Sequence, residues 1–358
     1  MNSSPACRIR VLRLEGTPRE RGCAHGLEYG ASIREYTRER VRLAADGSWA
    51  GRPATERDIL ALAEEMLPAH RDYAPDLCLE LEAMAEAAGI SAAEAIIVGG
   101  FTDFVDAVRA RAGEATLEED DCTALLTSEY LAQTWDMHAS ATPHVVLLDV
   151  RDAPGCLVFS TVGCLAQIGM NAAGIAIGIN NLVSTDGRVG VTWPFVVRKV
   201  LQQTSLDAAL ECILQAPLAG AHNYLLLDAS GHGYNLEAMP THTAITRLES
   251  TALVHTNHCL DAVASRREAA RAPALLSSSR DRLARAVALA DGPLDLEQLL
   301  AMTRDPIICR RPEPPYHVES SGAVVMRPST RELWAVWGVP ADHDYEHFRV
   351  GDATGKPA

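Results

Sequence analysis

The feature that most constrains this chain is a change of hydrophobic period at Cys122. Upstream, a short strand over residues 10–16 is followed by segments whose apolar residues recur at three-and-four spacing, the period of an amphipathic helix. Residues 18–45 form one such segment. Residues 55–70 open with Thr55 and Glu56 ahead of an apolar run, a helix start, and residues 74–89 close on Gly89, suited to a C-cap. Ser91, with Glu94 three residues on, makes a capping-box pattern at the head of residues 91–108. Residues 109–121, "RARAGEATLEEDD", are charged and unpatterned and read as an exposed linker.

Downstream of Cys122 the texture is different. "CTALLTSEYLAQTWDM", "HVVLLDVRD", "GCLVFSTVG", "AQIGMNAAGIAIGINN" and "NYLLLDASGHGYNLEAM" are short β-rich runs, with "APG", "NAAG" and "ASG" at hairpin distance between them. Asn171 and Gly174 of "NAAG" read as hairpin residues with positive φ. Residues 194–215 read as helical. The strands "HTAITRL" and "TALVHTNHCL", helices near 262–290 and 294–303, and two strands around "RPSTR" complete the chain. Antiparallel strands, then helices, then strands imply an α+β layered domain rather than a doubly wound parallel sheet.

Composition narrows the partners. The net charge is −15 without basic clusters, which argues against nucleic acid or an anionic membrane surface. No window approaches the roughly 18 apolar residues of a membrane helix, and the first residues lack a secretory pattern, so the expected location is the cytoplasm. The nine cysteines are scattered and include no C-x-x-C pair, so most are expected to be small buried apolar residues in a reducing compartment. His255 and His258 lie three apart, which on a strand puts them on opposite sides, so no metal is expected there. Neither a phosphate loop nor a G-x-S-x-G elbow is present.

Cys122 is the residue with the most chemistry on offer. A thiol is a good nucleophile once ionised, and it needs a base to be ionised at neutral pH. A histidine in reach is one solution. The other is a cysteine at a chain terminus, whose own α-amino group, with a reference pKa of about 7.7–8.0, acts as the base. Cys122 lies between an exposed linker and a strand, where a cut before it is sterically easy. On the residues alone, a strand-initial cysteine packed in a core is the simpler reading.

"CTALL", "QTWDM", "GMNAAGIAIGINNL", "NYLLLDASG", "LEAMP" and "VHTNHCL", in that order and spacing, resemble the acyl-coenzyme A:6-aminopenicillanic acid acyltransferase family. That family belongs to the cysteine N-terminal-nucleophile hydrolases. "RGCAHG" at residues 21–26, "SSSRDRLAR" at 277–285, "ICRRP" and "ELWAVWGVP" extend the likeness over nearly the whole chain. The resemblance implies a four-layer αββα sandwich. It implies self-cleavage at Asp121–Cys122 into a mainly helical piece, 1–121, and a β-rich piece, 122–358, which together form one structural domain. Cys122 would be the nucleophile of both the cut and the reaction.

By the same resemblance Asp136 would orient the α-amino group, and Asn257 would donate its amide to the oxyanion. Arg21 would shape the interface between the pieces, and Ser279 and Arg282 would order the site. On the residues alone, Asp136 also fits a turn, Asn257 a strand-end amide, and Ser279 the N-cap of "RDRLARAVALA". Two departures stand out: Asp121 replaces the family's glycine, and Thr134 and Met137 replace an Asn and an aromatic residue. The expected activity is amide hydrolysis of a small N-acyl compound. The alternatives are an N-acyltransferase using an acyl-coenzyme A thioester as co-substrate, and an uncleaved ligand binder of the same fold. No bound cofactor is expected. The two pieces of the precursor, and further copies of it, are the candidate protein partners.

Overall fold

The structure is a computed structural model that describes residues 9–47, 52–112, 122–314 and 317–357. The chain opens with strand β1 (Val11–Leu14) and five helices: α1 (Pro18–Asp46), α2 (Glu56–Tyr73), α3 (Pro75–Ala88), α4 (Ala92–Gly99) and α5 (Phe101–Ala112). Local signals account for their ends. Thr55 accepts from Asp58 N at the head of α2, and Ser91 and Glu94 form the capping box of α4. Gly89, at φ 75°, closes α3. Residues 91–108, expected as one helix, divide at Gly100, where a side chain would collide with Thr192.

From Cys122 the chain is mostly strand. β2 (Thr123–Leu126), β3 (Leu131–His138), β4 (Val145–Val150), β5 (Cys156–Thr161), β6 (Ile168–Asn171) and β7 (Ala176–Leu182) lead to α6 (Trp193–Val200) and α7 (Leu206–Leu214). β8 (Ala221–Leu227), β9 (Gly233–Met239), β10 (His242–Arg247) and β11 (Leu253–His255) precede α8 (Pro273–Leu289) and α9 (Leu296–Thr303). β12 (Val318–Arg327), β13 (Glu332–Trp337), β14 (Glu346–Arg349) and β15 (Asp352–Pro357) end it.

Among the described residues the strands form two sheets. One has the order β1-β4-β5-β6-β7-β8-β9-β10 and the other β11-β2-β3-β12-β13-β14-β15. β2 and β3 of the second sheet touch β7 and β8 of the first, so the sheets lie face to face. α6 and α7 cover the first sheet with α1–α5, and α8 and α9 lie against β2, β3, β11 and β12. The layers therefore run helix, sheet, sheet, helix, as expected. β1 pairs in parallel with β4, Val11 opposite Leu147, so the amino-terminal region is hydrogen-bonded into the first sheet.

Three expectations need correction. The helix over 194–215 breaks at residues 201–205, because the Ser205 side chain caps a new helix by accepting from Ala208 N. The helix expected near 262–290 begins only at Pro273, which suits a first helical position and has no N–H to extend it backwards. Ser279 is consequently in the interior of α8 and caps nothing. Asn171 lacks the positive φ expected of it; only Gly174 of that turn has one, at 85°. Asn171 shapes the turn with its side chain, accepting from Ile175 N and donating to the carbonyls of Leu201 and Gln203.

α1 packs closely on α3. A Cβ on Gly22 would overlap the Glu80 carbonyl, and one on Gly26 the Met84 carbonyl. These glycines belong to "RGCAHG", and their role is close approach of two helix backbones.

Candidate active site

Cys122 lies immediately before β2 and is buried. β2 and β3 form a hairpin with Thr123 opposite Thr134, so the first residues of β2 meet the far half of β3. The hairpin brings Asp136 to the thiol: its N–H points at Cys122 Sγ from 3.5 Å, and its carbonyl oxygen is 3.8 Å from the sulfur. Asp136 is a buried strand residue and not the turn residue it also resembled. Thr134 Oγ1 accepts from Thr123 N at 3.2 Å, which ties the hairpin beside the cysteine.

Both backbone polar groups of Cys122 are held from across the site. Its N–H donates to Asn257 Oδ1 at 2.8 Å. Its carbonyl accepts from Arg282 Nη1 at 2.6 Å, and the same nitrogen donates to Thr123 Oγ1 at 2.9 Å. Arg282 Nη2 donates to Asn257 Oδ1 at 3.0 Å. Arg282 comes from α8, and Asn257 from the loop after β11, which pairs with β2. Ser279, one turn before Arg282, pins that loop: its hydroxyl accepts from Asn257 N at 3.0 Å, lies 2.8 Å from His258 Nδ1, and donates to Thr256 Oγ1. Burial, followed by the charges of His255 and Arg271, lowers the His258 pKa from 6.5 to about 4. His255 instead meets Glu237, Nε2 to Oε1 at 2.7 Å.

Cys122, Asp136, Asn257, Thr134, Ser279 and Arg282 are thus brought together. Arg21 is elsewhere. It is buried between Glu80, whose carboxylate accepts from Nε at 2.7 Å, the Gly16 carbonyl and Asp152 of the β4–β5 turn. It links the helical layer to the first sheet. Asp121 lies outside the described residues.

The thiol opens on a narrow, mostly apolar cavity between the helical layer and the sheets, with walls that include Tyr36, Val98, Phe101, Trp135 and Ile179. It encloses about 20 Å³, room for about one water molecule. Four polar residues of this wall were not anticipated: Thr102, Gln167, Asn181 and His222. Asn181 of β7 accepts from Asn257 Nδ2 through its carbonyl, at 3.1 Å. His222 of β8 and Thr102 of α5 also line it. "GINN" and "AHNY" carry no motif that marks these residues, and only the pairing of β7 with β8 sets Asn181 opposite His222. Elsewhere, burial pushes the Cys164 thiol up to about 12, against hydrogen bonds with Ser160, Ala166 and Gln167 that pull it down.

The chain is 24% identical over 251 residues to the acyl-coenzyme A:6-aminopenicillanic-acid-acyltransferase 40 kDa form of Emericella nidulans, covering 69% of this chain and 68% of the relative. Among solved structures, penicillin V acylase from Agrobacterium tumefaciens aligns at TM-score 0.42 and 12% identity, over 64% of this chain and 86% of that one. Conjugated bile acid hydrolase from Clostridium perfringens aligns at TM-score 0.43 and 11% identity, over 65% and 98%. The family model described as acyl-coenzyme A:6-aminopenicillanic acid acyl-transferase matches residues 118–339, more than half of the sequence. The chain belongs to the acyl-coenzyme A:6-aminopenicillanic acid acyltransferase family.

Proposed function

We propose that this chain is a self-processing cysteine enzyme of the N-terminal-nucleophile type, which cleaves the amide bond of a small N-acyl compound through an acyl-enzyme on Cys122. The observation that carries the reading is the convergence on one residue. Sγ, backbone N and backbone O of Cys122 each meet a different group, from Asp136, Asn257 and Arg282 respectively.

Processing begins when Sγ attacks the Asp121 carbonyl. The C–N bond breaks, the Cys122 nitrogen leaves as a free amine, and water hydrolyses the thioester to give the Asp121 carboxylate and the thiol. In the matured protein the same nitrogen is an α-amine with its pKa in the neutral range, and it takes the thiol proton when Sγ attacks substrate. Asn257 Oδ1 holds that nitrogen. The Asn257 amide carries two protons; one goes to the Asn181 carbonyl, and the second is a donor for the oxyanion. The Asp136 N–H opposite Sγ favours the thiolate.

The apolar walls of the cavity suit an acyl group. Intact mass analysis tests the proposal. Two pieces meeting at Cys122, together with amidase activity against a panel of N-acyl amino acids, support it. A single inert chain refutes it. The name of the Emericella relative favours a second reading, in which an amine takes the acyl group from a coenzyme A thioester. Acyl-coenzyme A offered with and without amine acceptors separates transfer from hydrolysis.

A further inference from the structure

The helical layer and the first sheet meet at a buried pair that the steps above leave unused. Asp103 of α5 and His222 of β8 are 1% and 2% exposed, and Asp103 Oδ1 lies 3.0 Å from His222 Nδ1. The second carboxylate oxygen accepts from Trp193 N at 2.7 Å, which caps the start of α6. On the other side of the ring, His222 Nε2 is 3.5 Å from Thr102 Oγ1, and that hydroxyl already accepts from Trp193 Nε1 at 3.2 Å. The carboxylate 3.0 Å from Nδ1 favours the proton on that nitrogen, although the pair is not aligned as a hydrogen bond, and this leaves Nε2 as the lone-pair nitrogen. His222 lines the same cavity as Cys122. It is paired directly with Asn181, and residues opposite each other in an antiparallel pair share a face. Capping α6 accounts for Asp103. It does not account for an imidazole in a largely apolar wall, where an aliphatic side chain would cost less to bury.

We propose that His222, oriented by Asp103, is a second general base of this site, serving the step in which the acyl group leaves Cys122. This rests on the acyl-enzyme reading above. The acceptor, water or a primary amine, gives a proton to His222 Nε2 as its oxygen or nitrogen bonds to the acyl carbon. The C–S bond then breaks, Sγ leaves as thiolate, and the proton on Nε2 returns to the sulfur. The products are a carboxylic acid or an amide and the regenerated thiol. Asp103 acts through His222 and is a positioning residue.

The test uses the processed protein with p-nitrophenyl esters of short fatty acids, which report acylation as a burst of nitrophenol and deacylation as the steady rate. His222→Gln is expected to keep the burst and to lower the steady rate about 10²-fold or more. Acid-quenched samples should hold the acyl group on the piece that begins at Cys122, and added imidazole should restore part of the rate. Asp103→Asn should show the same split at smaller size, and it decides the matter if His222→Gln does not fold. An unchanged steady rate, or parallel loss of burst and turnover in a folded variant, overturns the role of His222. Absence of any acyl group on Cys122 in both the parent and the variants overturns the acyl-enzyme reading instead.

Discussion

Arg282 donates through Nη2 to Asn257 Oδ1 at 3.0 Å, and this bond decides which way the Asn257 amide faces. A guanidinium has only donors, so the amide oxygen must turn toward it and the NH2 must turn away, toward Asn181. The same guanidinium holds the Cys122 carbonyl. Replacing Arg282 by Met should leave Asn257 free to flip and Cys122 loosely placed. The expected loss is about 10²-fold in kcat, the scale of a small misplacement of reacting groups. Lys at this position should rescue little, because a single ammonium cannot reproduce the fork. Steady-state kinetics on matured protein checks both.

Asn257→Ala should lower kcat by roughly 10²–10³ if the amide is the oxyanion donor. Asn257→Asp is the sharper variant. It keeps the acceptor for Cys122 N and for Arg282 but has no N–H to give, so it should lose rate as the alanine variant does while retaining a folded site. A kcat close to that of the parent would remove the oxyanion role.

Cys122→Ala should remain a single chain of 38.5 kDa and show no activity. Asp121→Gly should process faster than the parent, since glycine reaches strained backbone geometry at the cut at little cost. A time course by denaturing gel after expression reads both rates, and equal rates for Asp121→Gly and the parent would show that the aspartate does not slow the cut.

Two buried histidines of the helical layer make the fold sensitive to acid. Burial, and for His25 also the charge of Arg198, lowers the pKa of His25 and of His70 from 6.5 to about 4. Each is needed neutral: His25 Nε2 accepts from Gly163 N at 3.1 Å, and His70 Nε2 from Thr192 N at 2.9 Å. Below the unfolded value the unfolded chain binds protons that the folded one refuses, so stability falls as pH drops from about 6.5 toward 4. The melting temperature measured across that window should decline, with proton uptake to which His25, His70 and His258 contribute about one each, and His70→Gln should flatten the slope by about one.

The hydrophobic period disclosed the division at Cys122, and the layers followed from the order of elements. Element interiors were legible because burial writes them, as in β4 and β8. Helix ends were legible only where a short-range bond decides them, as at Thr55 and Ser91. Ser279 shows the limit: its sequence neighbourhood fits an N-cap, yet Pro273 starts the helix earlier, and the hydroxyl serves a loop some twenty residues away. β14 and β15 were missed because short strands at the end of a sheet carry little alternation. In the site, Cys122 was legible from chemistry, while Asp136, Asn257 and Arg282 were legible through resemblance. Asn181, Asp103 and His222 were not legible, since their meeting depends on strand register and on which helix face lies on the first sheet.

The parallel pairing of β1 with β4, and the bedding of α1–α5 on the same sheet, have a consequence for how the mature protein holds together. While the chain is continuous, its halves are tethered and refolding is a first-order event. If the bond before Cys122 is cut as proposed, no peptide bond joins β1 to its neighbour, and reassembly after denaturation becomes a second-order encounter that depends on concentration. An uncut chain can regain its shape from dilute solution; a processed one would depend on a partner it was born attached to, and its persistence would be a matter of how slowly it opens.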